Sequence, residues 1–256
     1  MYCGGVAPPE FVRLAGHPLR WRLLTELAGG DLRVRELVTL TGEAQNLVSY
    51  HLRRLRDGGL VTWARSSFDG RDSYYHLNLD RCAEMLADAG TVLHPGLRLV
   101  PAAPEASLSA LSAPLAVLYV CTGNSARSPI AEALLRRRAA GRVEATSAGT
   151  HPKPRLHPHT APVLRAEYGI DISRQRPRHV KTLGGRHFDY LITLCDKARE
   201  VCPEQVDHAR FAHWSIPDPA ASTGKSGYPA FAGIAADIDT RIRFLLPVLS
   251  AKEVMP

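Results

Sequence analysis

The segment that most restricts the fold of this chain starts at Ala116 and reads A-V-L-Y-V-C-T-G-N-S-A-R-S-P-I-A-E-A-L-L-R-R-R. Its first five residues are all apolar, which is typical of a strand buried inside a parallel sheet. Ser128 and Pro129 then open a helix, since a proline near the first turn has no needed N–H to lose. A buried strand, a tight loop and a helix in this order predict an α/β domain.

The loop between this strand and helix predicts an anion site with a reactive thiol. Backbone N–H groups at the positive end of a helix dipole form a cradle for an anion. The dipole and Arg127 both favour the thiolate of Cys121, and the planar fork of Arg127 can also clamp two oxygens of a tetrahedral oxyanion. The predicted oxyanion-binding residues are Thr122, Gly123, Asn124, Ser125, Ala126, Arg127 and Ser128.

Two later segments supply groups that nucleophilic chemistry needs. The leaving oxygen requires a proton donor, and Asp218, which lies between two prolines, is the candidate. The predicted strand F-D-Y-L-I-T-L leads to Cys195, and Cys202 follows at a spacing that can support a disulfide relay. Two structural thiols are the alternative. The spacing fits no common zinc pattern, and the nearby His208 and His213 are interpreted as solvated or core residues.

Helical periods dominate residues 1–90, which precede a predicted linker at 91–114 that contains four prolines. The segment contains three helical runs, then two runs of alternating apolar and polar residues on either side of S-S-F-D-G-R-D, and a last helix at about residues 80–89. This order predicts a winged helix–turn–helix. The third helix is predicted to face inward with Leu47, Val48, Leu52 and Leu55. The candidate DNA contacts are Gln45, Asn46, Ser49, Tyr50, Arg53, Arg54, Arg65 and Arg71. A solvated face on a small interaction domain is the alternative.

The net charge of +7 lies entirely after residue 90, because residues 1–90 hold 11 arginines and 11 acidic residues. A basic second half suits an anionic substrate as well as nucleic acid. The five cysteines, an odd number, argue against a secreted disulfide framework. Neither a signal peptide nor a membrane span is evident in the sequence. We therefore expect a cytoplasmic protein that does not interact with a membrane.

Two strings resemble the ArsR family of bacterial metalloregulatory repressors, namely H-P-L-R-W-R-L-L-T-E-L and N-L-V-S-Y-H-L-R-R-L-R-D-G-G-L-V. The resemblance covers about residues 10–88 and implies a homodimer through the N-terminal domain, with residues 45–54 in the major groove of a palindromic operator. Arsenite-sensing members place a Cys-x-Cys where this chain has V-R-E-L-V-T-L. Cys3 and Cys82 are therefore candidates for a substitute arsenite site. Sensing through the second domain, or no sensing, are the alternatives.

About residues 116–250, within a predicted second domain at 115–256, resemble the low-molecular-weight tyrosine phosphatase superfamily and, within it, the thioredoxin-coupled arsenate reductases. This resemblance rests on five strings: V-C-T-G-N-S-A-R-S, S-A-G, Y-G-I-D-I-S, L-C-x6-C-P and D-P. It implies a four-stranded parallel sheet flanked by helices and no bound cofactor, with thioredoxin as the reductant. It also implies roles for five residues: nucleophile, arginine, acid and two resolving thiols, namely Cys121, Arg127, Asp218, Cys195 and Cys202. Many members have a second loop cysteine where this chain has Ala126.

These features together predict a repressor fused to an enzyme that converts arsenate to arsenite. One alternative is a low-molecular-weight protein tyrosine phosphatase fused to a DNA-binding domain. Others are a reductase that uses a small thiol and one cysteine, and a non-catalytic regulator that senses an oxyanion. Arsenate reduction is favoured because a phosphatase has no need of Cys195 and Cys202, and because Ala220 and Ala221 stand where a tyrosine phosphatase usually has aromatic residues.

Overall fold

The computed structural model describes residues 7–97, 114–202, 206–220 and 227–250. The chain forms two compact units, Met1–Ala102 and Ala103–Pro256. Most of the predicted linker lies outside the described residues, so the boundaries at 1–90, 91–114 and 115–256 stay predictions. No helix within the described ranges is both long and apolar enough to cross a bilayer.

The first unit is a helical domain with a small antiparallel sheet. Its elements are α1 (Glu10–Ala15), α2 (Pro18–Leu27), β1 (Leu32–Arg33), α3 (Val34–Thr41), α4 (Gln45–Asp57), β2 (Val61–Arg65), β3 (Ser73–Leu77) and α5 (Leu79–Leu93). The sheet order is β1-β3-β2, and β2 pairs with β3 from Val61↔Leu77 to Arg65↔Ser73. The predicted hairpin, with the helices that precede it, is therefore confirmed as a winged helix–turn–helix.

Local sequence accounts for most of these helix boundaries, with two differences from prediction. Helix α3 ends at Gly42, whose φ of 71° is the left-handed conformation that favours glycine after a helix. Leu47 was predicted to face inward but is 39% exposed, because it lies three residues before Tyr50 on the outer face of α4. Helix α1 was not predicted, and α5 continues to Leu93.

The second unit is a parallel sheet flanked by helices. Its elements are β4 (Leu115–Cys121), α6 (Arg127–Ala139), β5 (Val143–Gly149), α7 (Thr160–Tyr168), β6 (Phe188–Thr193), α8 (Asp196–Val201), β7 (His208–His213) and α9 (Tyr228–Ser250). The strands pair in parallel in the order β5-β4-β6-β7. The central strand β4 is fully buried from Val117 onward, as its apolar run predicts. The predicted four-stranded parallel sheet is confirmed.

This topology brings the candidate functional residues to one edge of the sheet. The carboxyl ends of parallel strands lie at the same edge of the sheet. Ligands bind at this edge, beside the strand from which the chain connections run to opposite sides of the sheet. Here β5 and β6 lie on opposite sides of β4. Cys121 ends β4, Cys195 follows β6, and Asp218 lies five residues after β7. Residues that are about 75 to 100 positions apart in sequence therefore meet.

Candidate active site

Cys121 lies buried at the start of the loop that joins β4 to α6. Its sulfur accepts a hydrogen bond from the backbone N–H of Asn124 at 3.2 Å and lies 3.0 Å from the hydroxyl oxygen of Ser128. The loop thus places a backbone N–H and a hydroxyl group beside the Cys121 sulfur.

Asn124 stabilises the loop through its buried side chain. Its backbone has a φ of 45°, a conformation that asparagine tolerates better than most residues. The side-chain amide is completely buried and donates to the hydroxyls of Ser128 and Ser147, both at 2.9 Å. Its carbonyl oxygen accepts from the backbone N–H of Arg178 at 2.9 Å. These contacts hold the loop in its observed conformation.

The string S-A-G at the end of β5 supports the same loop. A Cβ added to Gly149 would lie 2.7 Å from the carbonyl oxygen of Thr122 and 3.0 Å from Cβ of Asn124, so only glycine fits there. Ala148 accepts a bond from the Ser128 hydroxyl at 3.3 Å. Sequence reasoning used this string only as a family signature and missed its role in packing against the loop.

The segment after β5 binds the carbonyl groups of the loop. Backbone N–H groups of residues 150, 151, 153 and 157 donate to the carbonyl oxygens of Cys121, Thr122, Gly123 and Ser125 at 2.8 to 3.1 Å. These carbonyl oxygens are thus occupied on the protein side of the loop. An anion therefore meets N–H groups and not carbonyl groups, which is what an oxyanion cradle requires.

Arg127 and Asp218 meet at the edge of this loop. The buried Arg127 donates to the carbonyl oxygen of Ile216 at 3.0 Å, and its other terminal nitrogen lies 3.4 Å from Oδ2 of Asp218. The Asp218 side chain is partly exposed, and its Oδ1 accepts from the N–H of Ala220 at 3.1 Å. The predicted arginine and the predicted acid are therefore next to each other.

Cys195 faces the same loop from the end of β6. Its sulfur lies 3.2 Å from the hydroxyl oxygen of Thr122. Burial raises the pKa of Cys195, the guanidinium of Arg127 opposes that shift, and a charge on Cys121 adds to it. Cys195 is thus within electrostatic reach of both Cys121 and Arg127, and the structure brings together the first three predicted catalytic groups with the first resolving thiol.

Cys202 lies at the opposite end of α8 from Cys195. It is fully buried, and burial raises its pKa to about 12. Helix α8 has six residues, and Cys195 and Cys202 cap its two ends. A rise of 1.5 Å per residue separates their Cα atoms by roughly 10 Å, whereas a disulfide joins Cα atoms roughly 4.4–6.8 Å apart. Cys121, Cys195 and Cys202 are all free thiols. The two resolving candidates therefore cannot bond to each other while α8 is folded.

The candidate DNA contacts all lie on the surface of the first unit. Six of them are on α4, and the other two flank the hairpin turn: Gln45, Asn46, Ser49, Tyr50, Arg53, Arg54, Arg65 and Arg71. This position matches the polar face that the helical period predicts, opposite the buried Val48 and Leu52. Contact with DNA itself stays a prediction.

The predicted arsenite site has one member in the structure. Cys3 lies outside the described residues. Cys82 is half-buried on α5, and burial raises its pKa to about 11, which disfavours the thiolate that a soft ion binds. No cluster of three or more histidine, cysteine or acidic side chains suited to a metal occurs among the described residues. The pairing of Cys3 with Cys82 stays a prediction.

Comparison with known proteins agrees with this division of the chain. Residues 116–255 match the family model of the low molecular weight phosphotyrosine protein phosphatases, and residues 17–62 match that of the bacterial regulatory protein arsR family. A glutaredoxin arsenate reductase of Synechocystis sp. is 32% identical over 134 residues, which are 52% of this chain and 98% of that protein.

Two further matches cover a similar share of the chain. An arsenate reductase of Brevibacillus brevis is 33% identical over 127 residues, which are 50% of this chain and 90% of that protein. A solved structure of an arsenate reductase in the phosphate-binding state is 29% identical, with a TM-score of 0.46, and the match covers 52% of this chain and 96% of that one.

Proposed function

The chain belongs to the low-molecular-weight phosphotyrosine protein phosphatase family, and we propose that its second unit is an arsenate reductase. One observation carries this proposal: the Cys195 sulfur lies beside the anion loop, in contact with Thr122, and a further thiol stands at the other end of α8. A phosphatase reaction uses only the loop, its arginine and an acid. Curated relatives at 32% and 33% identity are named arsenate reductases, which supports the same choice.

The first step attaches arsenate to Cys121. The loop N–H groups and Arg127 hold three oxygens of the tetrahedral anion, and the Cys121 thiolate attacks arsenic. A sulfur–arsenic bond forms as an arsenic–oxygen bond breaks, and Asp218 gives its proton to the departing oxygen, which leaves as water. Asp218 is the candidate for this role because its carboxyl group lies at the edge of the loop, beside the arginine that would bind the anion.

The second step is the reduction. Cys195 loses its thiol proton to solvent and its sulfur attacks the Cys121 sulfur, while the sulfur–arsenic electron pair goes to arsenic. As(V) becomes As(III), arsenite leaves, and the two thiols that supplied the two electrons become a Cys121–Cys195 disulfide. The Thr122 hydroxyl at 3.2 Å from the Cys195 sulfur can donate a hydrogen bond that stabilises the attacking thiolate.

The third step regenerates the nucleophile. Cys202 loses its proton and attacks the Cys195 sulfur, so that Cys121 leaves as a thiolate and a Cys195–Cys202 disulfide forms. Because the two Cα atoms start about 10 Å apart on a folded helix, α8 must unwind for this exchange. Unwinding also brings the new disulfide toward the surface, where a dithiol protein can reduce it.

The reductant is proposed to be thioredoxin, and a coupled assay tests the whole proposal. Arsenate should drive NADPH oxidation in the presence of thioredoxin and thioredoxin reductase, because a dithiol partner reduces an exposed protein disulfide directly. Turnover that requires glutathione and glutaredoxin instead would favour the small-thiol alternative, since one relative is named a glutaredoxin arsenate reductase. Hydrolysis of p-nitrophenyl phosphate without arsenate turnover would favour the phosphatase alternative.

The first unit carries an ArsR-type helix–turn–helix, and we propose that it represses transcription as a homodimer. The apolar Leu86 and Leu93, two turns apart on α5, are 43% and 78% exposed, which supports a partner at this helix. Helix α4 would then enter the major groove of each operator half-site. An arsenic-responsive promoter upstream of the protein's own coding sequence is the expected target.

Replacing Arg53 and Arg54 with alanine should weaken operator binding and reduce its dependence on salt. Each phosphate contact that is lost lowers the slope of log K against log salt by about 0.9, because fewer counterions are released. Fluorescence anisotropy at several salt concentrations measures both effects. Arg81→Ala is the matched control, since Arg81 lies on α5 and pairs with Glu84 at 3.3 Å. Unchanged binding by the double variant would exclude α4 as the DNA-binding helix.

A further inference from the structure

A buried polar network surrounds the backbone of Cys195, and the three chemical steps do not use it. Asp196 is 3% exposed; its Oδ1 accepts from the Ser215 hydroxyl at 2.7 Å and lies 3.1 Å from Nε2 of His213. The other ring nitrogen of His213, which is 2% exposed, lies 2.9 Å from the hydroxyl oxygen of Thr193. One imidazole therefore joins the last residue of β6 to the first residue of α8, with Cys195 between them.

The backbone reinforces this arrangement. Leu194 donates to the carbonyl oxygen of Val120 at 2.7 Å, and Trp214 donates to that of Thr193 at 2.8 Å. The ends of β4, β6 and β7 and the start of α8 are thus tied together within a few residues. Cys195 has little freedom to move on its own, and its sulfur is held at the hydroxyl of Thr122.

Stability alone does not explain a buried aspartate and histidine at this place. Removing a carboxylate from water is costly even when it is hydrogen-bonded, and apolar residues at a buried site are often as stabilising or more so. The contacts of the pair do, however, fix the chain on both sides of Cys195. The group whose geometry it fixes is the candidate resolving thiol, since Asp196 follows Cys195 directly.

We propose that Asp196 and His213 are positioning residues that hold Cys195 for its attack on Cys121 and keep α8 folded until that attack is complete. This inference rests on the proposed function, because only reduction uses Cys195. In the first exchange a sulfur–sulfur bond forms and the sulfur–arsenic bond breaks, with arsenate as the oxidant. In the second exchange one disulfide replaces another, the Cys202 proton goes to solvent, and no further oxidant is needed.

The network has opposite effects on these two exchanges. The first needs Cys195 in its observed position, so loosening the network slows it. The second exchange needs α8 to unwind, because the helix separates the Cα atoms of Cys195 and Cys202 by about 10 Å. Loosening the first residue of α8 therefore speeds the second exchange. Damage to the fold would slow both exchanges. Opposite changes in the two rates are therefore the signature of a positioning role.

Asp196→Ala tests this inference, together with a double variant, Asp196→Ala with His213→Leu. The double variant removes both members of the pair together, so it stays informative if the single variant folds poorly. Asp207→Ala is the matched control. Asp207 forms another carboxylate–histidine pair, with His187 at 3.0 Å, but that pair is exposed and at the opposite ends of β6 and β7.

Each exchange is measured separately after mixing with one equivalent of arsenate. In a Cys202→Ser background, acid quench and thiol trapping should show Cys121–Cys195 formation slowed about 10- to 100-fold, the range expected for a displaced reacting group. With all cysteines present, conversion of that disulfide to Cys195–Cys202 should be faster than in the wild type. Protection of Cys121 from iodoacetamide by inorganic phosphate should stay within twofold, because the anion loop is unchanged.

Several results would overturn the inference. These are an unchanged first exchange in both variants, equal slowing of both exchanges, equal slowing by Asp207→Ala, or loss of phosphate protection in both variants. A different result identifies failure of the proposed function itself: wild-type protein that forms no disulfide with arsenate does not use Cys195 in catalysis, and then the positioning role falls with it.

Discussion

Cys121→Ser is expected to abolish arsenate reduction, with turnover at the level of the assay without protein. A serine hydroxyl is far less acidic than a thiol, so it is a much weaker nucleophile at neutral pH. Serine also cannot form the disulfide through which the two electrons reach arsenic. Arsenate-dependent NADPH oxidation in the coupled assay measures the loss. The variant should still bind inorganic phosphate, because the loop N–H groups and the Arg127 side chain remain.

Cys82→Ser is the matched control for this loss. Cys82 is a half-buried free thiol in the other compact unit, so its removal should leave arsenate turnover unchanged. Asp218→Asn provides a graded comparison, since losing a general acid typically costs about 10²–10⁴-fold while thiol chemistry remains. Residual turnover in Cys121→Ser as high as in Asp218→Asn would mean that another thiol is the nucleophile.

The strand, loop and helix around Cys121 could be predicted because their signals are local. An uninterrupted apolar run, a loop with glycine and asparagine, and a proline near the helix start lie within about 15 residues of each other. Burial of β4 and the left-handed backbone of Asn124 follow from these same residues. Local periodicity likewise placed α4 and the hairpin of the first unit, although it misplaced Leu47.

The support of the anion loop could not be predicted, because its contacts join distant and unremarkable residues. Ser147 binds the Asn124 amide from 23 positions away, and the segment from Thr150 to His157 binds loop carbonyl groups through its backbone. Backbone hydrogen bonds leave no side-chain signature in a sequence. The same reason explains why His213 could be interpreted only as solvated or core before its pairing with Asp196 was visible.

The environment of Cys202 was also outside the reach of sequence reasoning. Its spacing from Cys195 suggested a relay, but spacing does not show whether the intervening residues form a loop or a helix. A helix keeps the two thiols apart and buries the second, with its pKa raised to about 12. Burial in the folded protein therefore disfavours the Cys202 thiolate, and we expect its reactivity to depend on unwinding of α8.

Cys202→Ser should complete one turnover and then stop, with one arsenite released per protein. After the first exchange the Cys121–Cys195 disulfide lacks its internal resolving thiol. Cys195 and Cys121 are both buried, so an external dithiol protein cannot reach either sulfur in the folded site. Arsenite released per protein and peptide mapping under non-reducing conditions measure the stall, and the expected map shows Cys121 joined to Cys195.

Wild-type protein oxidised by arsenate without a reductant should instead map to a Cys195–Cys202 disulfide with Cys121 free. Cys82→Ser again serves as the control and should match the wild type, since Cys82 lies outside the second unit. Repeated turnover of Cys202→Ser with thioredoxin would contradict the relay, because the reductant would then reach the first disulfide directly. If glutathione alone restored turnover in that variant, the reaction would need only Cys121 and a small thiol, and Cys195 and Cys202 would be structural.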